Sequence, residues 1–412
     1  MACNRFRQRQ IGGNGYEMGR EMPTIDSLGT PLGFRAMVDP RPEPLQSYRG
    51  EECVLTQARS LAGMQKEALV HRASGVAWRL TCDEGPYLNG ADVAPFPLAF
   101  VTAGLAIGVM SKFRAFARAE NVDLGGAYAI LDNYYSMEGS AIQGTMKGGA
   151  SSPDLRIVAA GADHATLDRL VARAVEHSAA AKMFAAPMQN AFSMQLNDEI
   201  RPLKEMRSTT DEIPPPPHGS FDRIRVLESL AEGRPILSKL QSAEALFGVE
   251  GGAGSSLQAE QKRGLHVRGT LQMTSEGLYD VKIQLFKPIG SVFRFIGDDA
   301  ASGRAPSGMD YLSAGVAFCF MTQLGRYAQI VKQDLISYAV AQETRYSEAG
   351  PNDDSALVRI DPLVTHVFLT SNEDLDQNQK LVKMGEQTCF AHAALSASAP
   401  LRLTVAGHDD PT

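Results

Sequence analysis

The feature that most constrains the fold of this chain is an apolar, helix-like segment that occurs twice. AGLAIGVMSKFRAFA at positions 103–117 returns as AGVAFCFMTQLGRYA at positions 314–328. Cys319 stands in the later segment where Gly108 stands in the earlier one. One match between two apolar helices can be coincidence, so the flanking sequence decides whether it marks a repeated domain.

The flanking sequence matches as well. AWRLTCDEG precedes the first segment and VFRFIGDDA the second, which aligns Arg79 with Arg294. EHSAAAKM follows the first and EQTCFAHA the second, which aligns Ala179 with Cys389. Three segments in the same order at nearly constant spacing predict two copies of one domain, with this pair of cysteines in the second copy alone.

The sequence between the copies sets the expected domain boundaries. STTDEIPPPPHGSFD at 208–222 contains four consecutive prolines, which favour a stiff, extended spacer. A polar, helix-like stretch and the flexible turn GVEGGAGSS at 248–256 follow it. We therefore expect an N-terminal extension, a first copy, a linker with a helical stretch and a second copy, at 1–50, 51–200, 201–262 and 263–412.

Each copy predicts an α+β fold. In the second copy GLHVRGTLQM, LYDVKIQLF and SVFRFIG are rich in β-branched and aromatic residues, which indicates strands. Ser307 followed by Asp310 is typical of a capped helix start, and a second helix is predicted over 372–395. Because few strand–helix–strand units appear, we expect antiparallel strands wrapped around a buried central helix.

Charge and hydropathy exclude several classes of protein. The net charge of −7 and the absence of basic stripes argue against a nucleic-acid partner. Residues 93–111 are uncharged and nearly long enough to span a bilayer, but two prolines at their start favour a buried helix and no membrane contact. The first 23 residues lack the apolar core of a secretory signal, so we expect a disordered tail and a cytoplasmic protein.

Cysteine usage argues against a structural role for these residues. The five cysteines are widely spaced without a CxxC pair, which is not typical of a disulfide framework or a zinc site. The histidines form no metal-binding motif and the glycine-rich stretch lacks a phosphate-loop ending, so we expect no metal and no cofactor. Cys82 has no thiol counterpart, since Gly297 stands opposite it in the second copy.

The segments APSGMDYLSAGVAFC at 305–319 and THVFLTSNEDLDQNQKLVKMGEQTC at 365–389 resemble the OsmC/Ohr family, the osmotically inducible and organic hydroperoxide resistance proteins. Members of that family place one cysteine in a central helix and a second on a later helix. They usually form intertwined homodimers with active sites at the subunit interface. The resemblance therefore implies a pseudo-dimer within one chain, which can assemble further into a homo-oligomer.

The resemblance also implies a thiol-dependent peroxidase acting on small organic hydroperoxides. Cys319 is expected to attack as the thiolate, and Cys389 to resolve the resulting sulfenic acid as a disulfide. A dithiol of lipoyl type or a low-molecular-weight thiol is the expected reductant. Cys319 lies too deep in its helix for the helix dipole to favour the thiolate. Arg294 matches the family's thiolate-stabilising arginine, and Asp310 stands where relatives carry a glutamate that orients it.

The same residues allow other interpretations. Cys319 on an apolar helix is also typical of an inert core thiol, Arg294 of a strand-end surface charge, and Asp310 of a capping acid. His392, three residues after Cys389, can act as a base or pack as an ordinary helix residue. The alternative functions are a cysteine-dependent hydrolase or lyase for a small electrophilic metabolite, and a non-enzymatic ligand-binding protein.

Overall fold

The computed structural model describes residues 22–39, 42, 52–244, 258–348, 350–351 and 358–407. They form a mixed α+β fold, which confirms the predicted class. The helices are α1 (Pro97–Ala119), α2 (His164–Glu176), α3 (Ala179–Ala185), α4 (His218–Phe221), α5 (Gly308–Val331), α6 (Leu375–Thr388) and α7 (Phe390–Ser396). The strands are β1 (Gly33–Met37), β2 (Glu52–Ser60), β3 (Lys66–Arg72), β4 (Ala77–Cys82), β5 (Tyr128–Ser140), β6 (Lys147–Ala150), β7 (Asp154–Val158), β8 (Ala191–Leu196), β9 (Glu199–Arg201), β10 (Arg225–Glu228), β11 (Leu230–Ala231), β12 (Arg234–Pro235), β13 (Leu237–Gln241), β14 (Glu260–Met273), β15 (Tyr279–Lys287), β16 (Val292–Gly297), β17 (Leu335–Ser347), β18 (Arg359–Ile360), β19 (Val364–Ser371) and β20 (Arg402–Ala406).

Two large sheets have equivalent strand orders. Sheet A runs β10-β1-β4-β3-β2-β17-β19-β8-β9, and sheet B runs β13-β16-β15-β14-β5-β7-β20. We call residues 52–201 the first half and residues 260–406 the second half. In sheet A, the first half supplies β2 to β4 and the second half supplies β17 and β19. In sheet B, the second half supplies β14 to β16 and the first half supplies β5 and β7. Each sheet is therefore completed by strands from the other half.

The core lies between the sheets, where α1 packs on sheet B, α5 packs on sheet A, and the two helices pack on each other. Both helices are apolar around most of their circumference, as helices buried on all sides require. Glycines bring their backbones close. A Cβ added at Gly104 would lie 2.6 Å from the Gly308 carbonyl oxygen, and one at Gly315 would lie 2.7 Å from the Val101 nitrogen.

Helix α1 includes most of the uncharged segment 93–111. Of the described helices it alone is long and apolar enough, by length and composition, to cross a membrane. Most of its apolar stretch is buried inside the fold. The expectation of a buried helix is confirmed.

The region between the two halves is not the predicted helical linker. Beyond the short α4, residues 225–241 form strands, of which β10 extends sheet A beside β1 and β13 extends sheet B beside β16. Backbone pairing with the open sheet edges outweighs the helix-like composition here. The proline-rich segment lies against sheet A, where Ile213 packs on an apolar cluster that includes Cys53. The turn at 248–256 falls outside the described residues.

The N-terminal region contributes to sheet A as well. Strand β1 lies within residues 1–50 and pairs with β4 in antiparallel orientation. Its Phe34 is fully buried in a cluster with Leu69 and Phe221. Residues 1–21 of the expected 23-residue tail fall outside the described residues.

Candidate functional site

The fold brings two of the candidate residues together. Cys319 lies in the middle of α5, and Cys389 lies in the break between α6 and α7; both are buried. Their thiols share a hydrogen bond, and neither is in a disulfide. Residues 70 positions apart in the sequence are thus in contact in the fold.

The helix predicted over 372–395 is interrupted at Cys389, which has an extended backbone (φ −73°, ψ 118°). Cys389 caps α7, and its Sγ accepts a hydrogen bond from the His392 backbone N–H at 3.5 Å. Burial raises the pKa of the Cys389 thiol, the bond with Cys319 raises it further, and the neighbouring backbone N–H groups oppose this. The break therefore holds Cys389 as a thiol directed at Cys319.

The sequence suggested that His392 and Cys389 share one face of a continuous helix. They do not, because the helix breaks between α6 and α7. The ring of His392 packs against the rings of Phe192 and Phe320, with centroid distances of 5.6 Å and 5.5 Å. Burial lowers the pKa of His392 to about 4, so the imidazole is neutral at physiological pH. Its contribution to the site is its backbone N–H.

A cavity of about 20 Å³ adjoins Cys319, with room for about one water molecule. Its polar wall consists of Cys319, Glu84, Tyr87, Arg263, Thr322 and Gln323. Its apolar wall includes Leu88, Phe96, Leu98, Leu265, Leu285 and Phe390. Cys389 is not part of this lining, so Cys319 is the thiol of the pair that a molecule in the cavity meets.

Part of this wall comes from the first half, in the loop 83–96 between β4 and α1. Glu84 accepts a hydrogen bond from Thr322 Oγ1 at 2.8 Å and another from the Tyr87 hydroxyl at 2.9 Å. Burial raises the pKa of Glu84, and the Lys66 ammonium opposes that shift. The loop is thus fixed to α5 one helical turn after Cys319.

Two arginines provide positive charge at the site. Arg263 on β14 lines the cavity, and Arg326 lies seven residues after Cys319, on the same face of α5. Burial lowers the pKa of Arg263, with Tyr87 and Glu84 opposing the shift. It lowers the pKa of Arg326 to about 9, and the charge of Arg263 contributes. Neither residue was among the site residues predicted from the sequence.

Arg294 does not lie beside the cysteine pair. Its neighbours on β16 are directed into the core, while Arg294 itself is partly exposed and pairs with Asp280, with 3.2 Å between Nε and Oδ1. In sheet A, Arg79 makes the equivalent pair with Glu67 at 2.8 Å. The assignment of Arg294 as the thiolate partner is therefore wrong, because strand alternation directs it to the opposite face of the sheet.

Asp310 caps α5 rather than orienting Arg294. Its backbone N–H donates to Ser307 Oγ at 3.3 Å, and its Oδ2 accepts from the Ser307 N–H at 2.7 Å, which confirms the predicted capping box. Its other oxygen lies 3.8 Å from Arg72 Nε. Burial raises the pKa of Asp310, and the Arg72 charge opposes this. The predicted Asp310–Arg294 contact is therefore wrong.

The equivalent position in the first half lacks both thiols. A Cβ added at Gly108 would lie 2.5 Å from Ala180 Cβ and 3.6 Å from Ser178 Oγ. Ser178 caps α3 as Cys389 caps α7, since each side chain accepts a hydrogen bond from the N–H three residues later. By position in the fold Ser178 is the counterpart of Cys389, and the alignment with Ala179 was wrong by one residue.

The arginines are likewise confined to the second half. In sheet A, Val54 on β2 pairs with the tenth residue of β17, and in sheet B, Arg263 on β14 pairs with the tenth residue of β5. Val54 is therefore the first-half equivalent of Arg263. Arg326 aligns with Ala115 in the repeated helix. The difference between Arg326 and Ala115 could have indicated Arg326 as a site residue from the sequence alone. Arg263 can be recognised as a site residue only from the register of its strand.

Of the remaining described cysteines, Cys82 lies close enough to the site to interact electrostatically with Cys319 and Glu84, and Cys53 lies elsewhere in the core. Cys82 ends β4 opposite Lys66, and burial raises the pKa of its thiol. Cys53 lies in the cluster under the proline-rich segment, and burial raises its pKa to about 12. No group of three histidine, cysteine, aspartate or glutamate residues in the described ranges is arranged to hold a metal ion.

The second half is similar to a known family. The model of the family described as OsmC-like protein matches residues 300–404, a segment that contains both Cys319 and Cys389. No curated protein is similar to the chain. A solved OsmC-like hydroperoxide resistance protein from Jannaschia sp. CCS1 matches at 20% identity, covering 29% of this chain and 78% of that one, with a TM-score of 0.21.

Proposed function

Residues 300–404 form an OsmC-like domain, and from this premise we propose that the chain is a thiol-dependent peroxidase that reduces organic hydroperoxides. The observation that carries the proposal is the hydrogen bond between Cys319 and Cys389 beside a cavity that Arg263 also lines. Peroxide reduction by two cysteines needs a thiolate that meets the peroxide and a second thiol within reach of the product sulfenic acid.

Cys319 is the attacking residue, because it lines the cavity and Cys389 does not. Its thiolate attacks one peroxide oxygen, the O–O bond breaks, and the departing alkoxide takes up a proton to leave as the alcohol. Cys389 then attacks the sulfur of the Cys319 sulfenic acid, so that a disulfide forms and water leaves. A dithiol of lipoyl type or a low-molecular-weight thiol returns the pair to the reduced state.

Arg263 takes the role that the sequence analysis gave to Arg294. A positive charge near a thiol favours the thiolate. Arg263 shares the cavity with Cys319, and Arg326 adds positive charge from the next turns of the helix. The negative charge of Glu84 interacts with Arg263 and offsets part of the free-energy cost of burying that guanidinium.

The apolar wall of the cavity favours an organic substrate over hydrogen peroxide. Aliphatic and aromatic side chains such as Leu88, Phe96 and Leu285 surround the polar residues near Cys319. An alkyl or aryl group gains about 25 cal/mol for each Å² of apolar surface that it buries there. The closed cavity is too small for such a group, so substrate entry requires some of the lining side chains to move.

We further propose that the two halves arose by tandem duplication and form a pseudo-dimer, with copies near 51–200 and 263–412. The equivalent strand orders of sheets A and B support this, as does the exchange of β5 and β7 for β17 and β19. Gly108 and Ser178 then mark the position where the first copy lost its thiols.

The experiment titrates the thiols of the reduced protein before and after one equivalent of cumene hydroperoxide, and maps the cross-link by mass spectrometry. We expect two thiols to disappear and a Cys319–Cys389 cross-link to form. Cys319→Ser should abolish peroxide consumption, and Cys389→Ser should allow one round that ends in a trapped sulfenic acid. Cys53→Ser removes a buried thiol outside the site and should behave as the wild type.

The proposal fails if the wild-type protein consumes no hydroperoxide, or if the cross-link joins Cys82 instead of Cys389. Full multiple turnover by Cys389→Ser would favour the cysteine hydrolase, since attack on an electrophilic carbon needs no resolving thiol.

A further inference from the structure

Strand β9 forms the end of sheet A that lies opposite β10. It has three residues, Glu199, Ile200 and Arg201, and all three are exposed. Ile200 is the most exposed large apolar side chain in the described part of the chain, with 71% of its surface accessible. An apolar residue between an acidic and a basic residue therefore stands at an open sheet edge.

The backbone of β9 offers one position for a further strand. A two-residue turn, Asn197 and Asp198, joins β9 to β8, and both of its residues have positive φ. Such a turn closes on a hydrogen-bonded pair, here Leu196 and Glu199. Hydrogen-bonded and non-hydrogen-bonded pairs alternate along an antiparallel ladder. The next residue, Ile200, therefore directs its N–H and its C=O away from β8.

We propose that two copies of this chain pair through β9, in antiparallel orientation about a twofold axis at Ile200. In that register the two Ile200 residues lie opposite each other, and the N–H of each donates to the C=O of the other. Glu199 of each copy lies opposite Arg201 of the other. Opposite charges at directly opposed positions stabilise a strand pair, and like charges destabilise it. The edge is thus complementary to itself.

The charges of β9 are arranged to accept a second partner. Within one copy Glu199 and Arg201 form an ion pair, because residues two apart share a face of the strand. Their side chains remain 65% and 44% exposed, so a large part of each is left for the second copy. Pairing then places each carboxylate between two guanidinium groups. Since Pro202 follows β9 and has no N–H to donate, the ladder stays short and the dimer is weak.

The other end strands of the two sheets are less suited to such pairing. β10 and β13 have register irregularities against β1 and β16, and bulges of this kind turn an edge away from a partner strand. β20 carries Arg402 but no acidic residue to match it in a second copy. Among these four ends, β9 alone combines a regular ladder with matched opposite charges.

The test measures mass by sedimentation equilibrium over about 1–500 µM protein, because dilution dissociates a weak dimer. We expect the mass of the wild type to rise with concentration from the 44.4 kDa of one chain toward twice that value. Glu199→Arg and Arg201→Glu should each weaken self-association about tenfold, since each change places like charges together at two symmetric positions.

The backbone contact has its own variant and control. Ile200→Pro should abolish self-association, because proline has no N–H to donate and is tolerated in an edge strand. Ile200→Lys should weaken it, since it places two like charges opposite each other. Leu227→Lys is the matched control, because Leu227 is an exposed apolar residue of β10 at the other end of sheet A. It should leave the mass distribution unchanged.

Mixing the two charge variants separates pairing between copies from the ion pair within one copy. Glu199→Arg and Arg201→Glu both lack the internal ion pair, and each has two like charges on β9. In the mixture a strand with two arginines meets one with two glutamates, so a mixed dimer should form about as tightly as the wild-type dimer. A wild type that stays monomeric throughout, or variants that stay monomeric when mixed, would overturn the proposal. So would a dimer that survives Ile200→Pro. None of these outcomes bears on the peroxidase, because no residue of β9 lines the cavity at Cys319.

Discussion

Gly104→Ala tests the close packing of the two central helices. The added Cβ would lie 2.6 Å from the Gly308 carbonyl oxygen, 2.6 Å from the Leu312 nitrogen and 2.9 Å from the Leu312 Cα. All three are backbone atoms of the facing segment, so no side-chain rotation relieves the contact. Because non-bonded heavy atoms pack at about 3.5–4.0 Å, α1 and α5 would have to separate by roughly 1 Å.

The magnitude follows from three contributions. Overpacking a dense core costs about 1–3 kcal/mol, and more where the contacted atoms cannot move. A gap of about 0.5–1 Å also forfeits a quarter to a half of the dispersion attraction between facing atoms. Replacing glycine by alanine within a helix returns about 1 kcal/mol. We expect Gly104→Ala to lower the free energy of unfolding by about 2–4 kcal/mol.

Urea denaturation followed by circular dichroism measures this loss. Gly315→Ala should give a similar loss, because its Cβ would meet the Val101 nitrogen at 2.7 Å. Gly219→Ala is the control, since Gly219 is exposed and no atom lies within 4 Å of its added Cβ. The control should stay within about 0.5 kcal/mol of wild type. A similarly small effect for Gly104→Ala would refute the helix packing described above.

Two further predictions concern charge. Arg263→Ala should slow iodoacetamide alkylation of Cys319 at pH 7, because it removes a positive charge from the cavity that Cys319 lines. Arg294→Ala should leave that rate unchanged, and equal effects of the two would contradict our assignment. His392→Leu should reduce the pH dependence of stability, to which His218 and His366 also contribute, because burial lowers the pKa of each to about 4. The folded-state pKa of His392, about 4, lies below 6.5, so the unfolded chain binds the proton first as pH falls, and His392 accounts for a loss on the order of 3 kcal/mol between pH 6.5 and 4. Urea midpoints at pH 7 and 4.5 check this, and an unchanged difference between them would count against it.

Features governed by short stretches of sequence were predictable. The capping box of Ser307 and Asp310 depends on two side chains three residues apart, and it forms as expected. The strands of the second half follow their β-branched and aromatic pattern. The burial of α1 follows from its apolar composition, since such a helix is stable inside a fold that covers it on all sides.

Features governed by strand register and tertiary contact were not predictable from the sequence. A one-residue difference in register decides which sheet face receives an arginine, so a sequence comparison could not distinguish Arg263 from Arg294. The break at Cys389 lacks a local signal, because neither glycine nor proline occurs there. The strands at 225–241 form because the edges of two distant sheets offer backbone partners.

The proposed site explains why a half without its thiols is retained. The loop 83–96, which carries Glu84 and Tyr87 to the cavity, belongs to the first half. The corresponding connection in the second half, from Gly297 to α5, is four residues shorter. Without β5 and β7, sheet B would end at β14 and expose unpaired backbone groups. A substitution such as glycine at position 108 removes a reactive atom and leaves these strands and this loop intact. Under the proposed duplication, loss of the first-half thiols leaves the second-half site intact, whereas loss of the first-half strands or loop would dismantle the cavity that Cys319 lines.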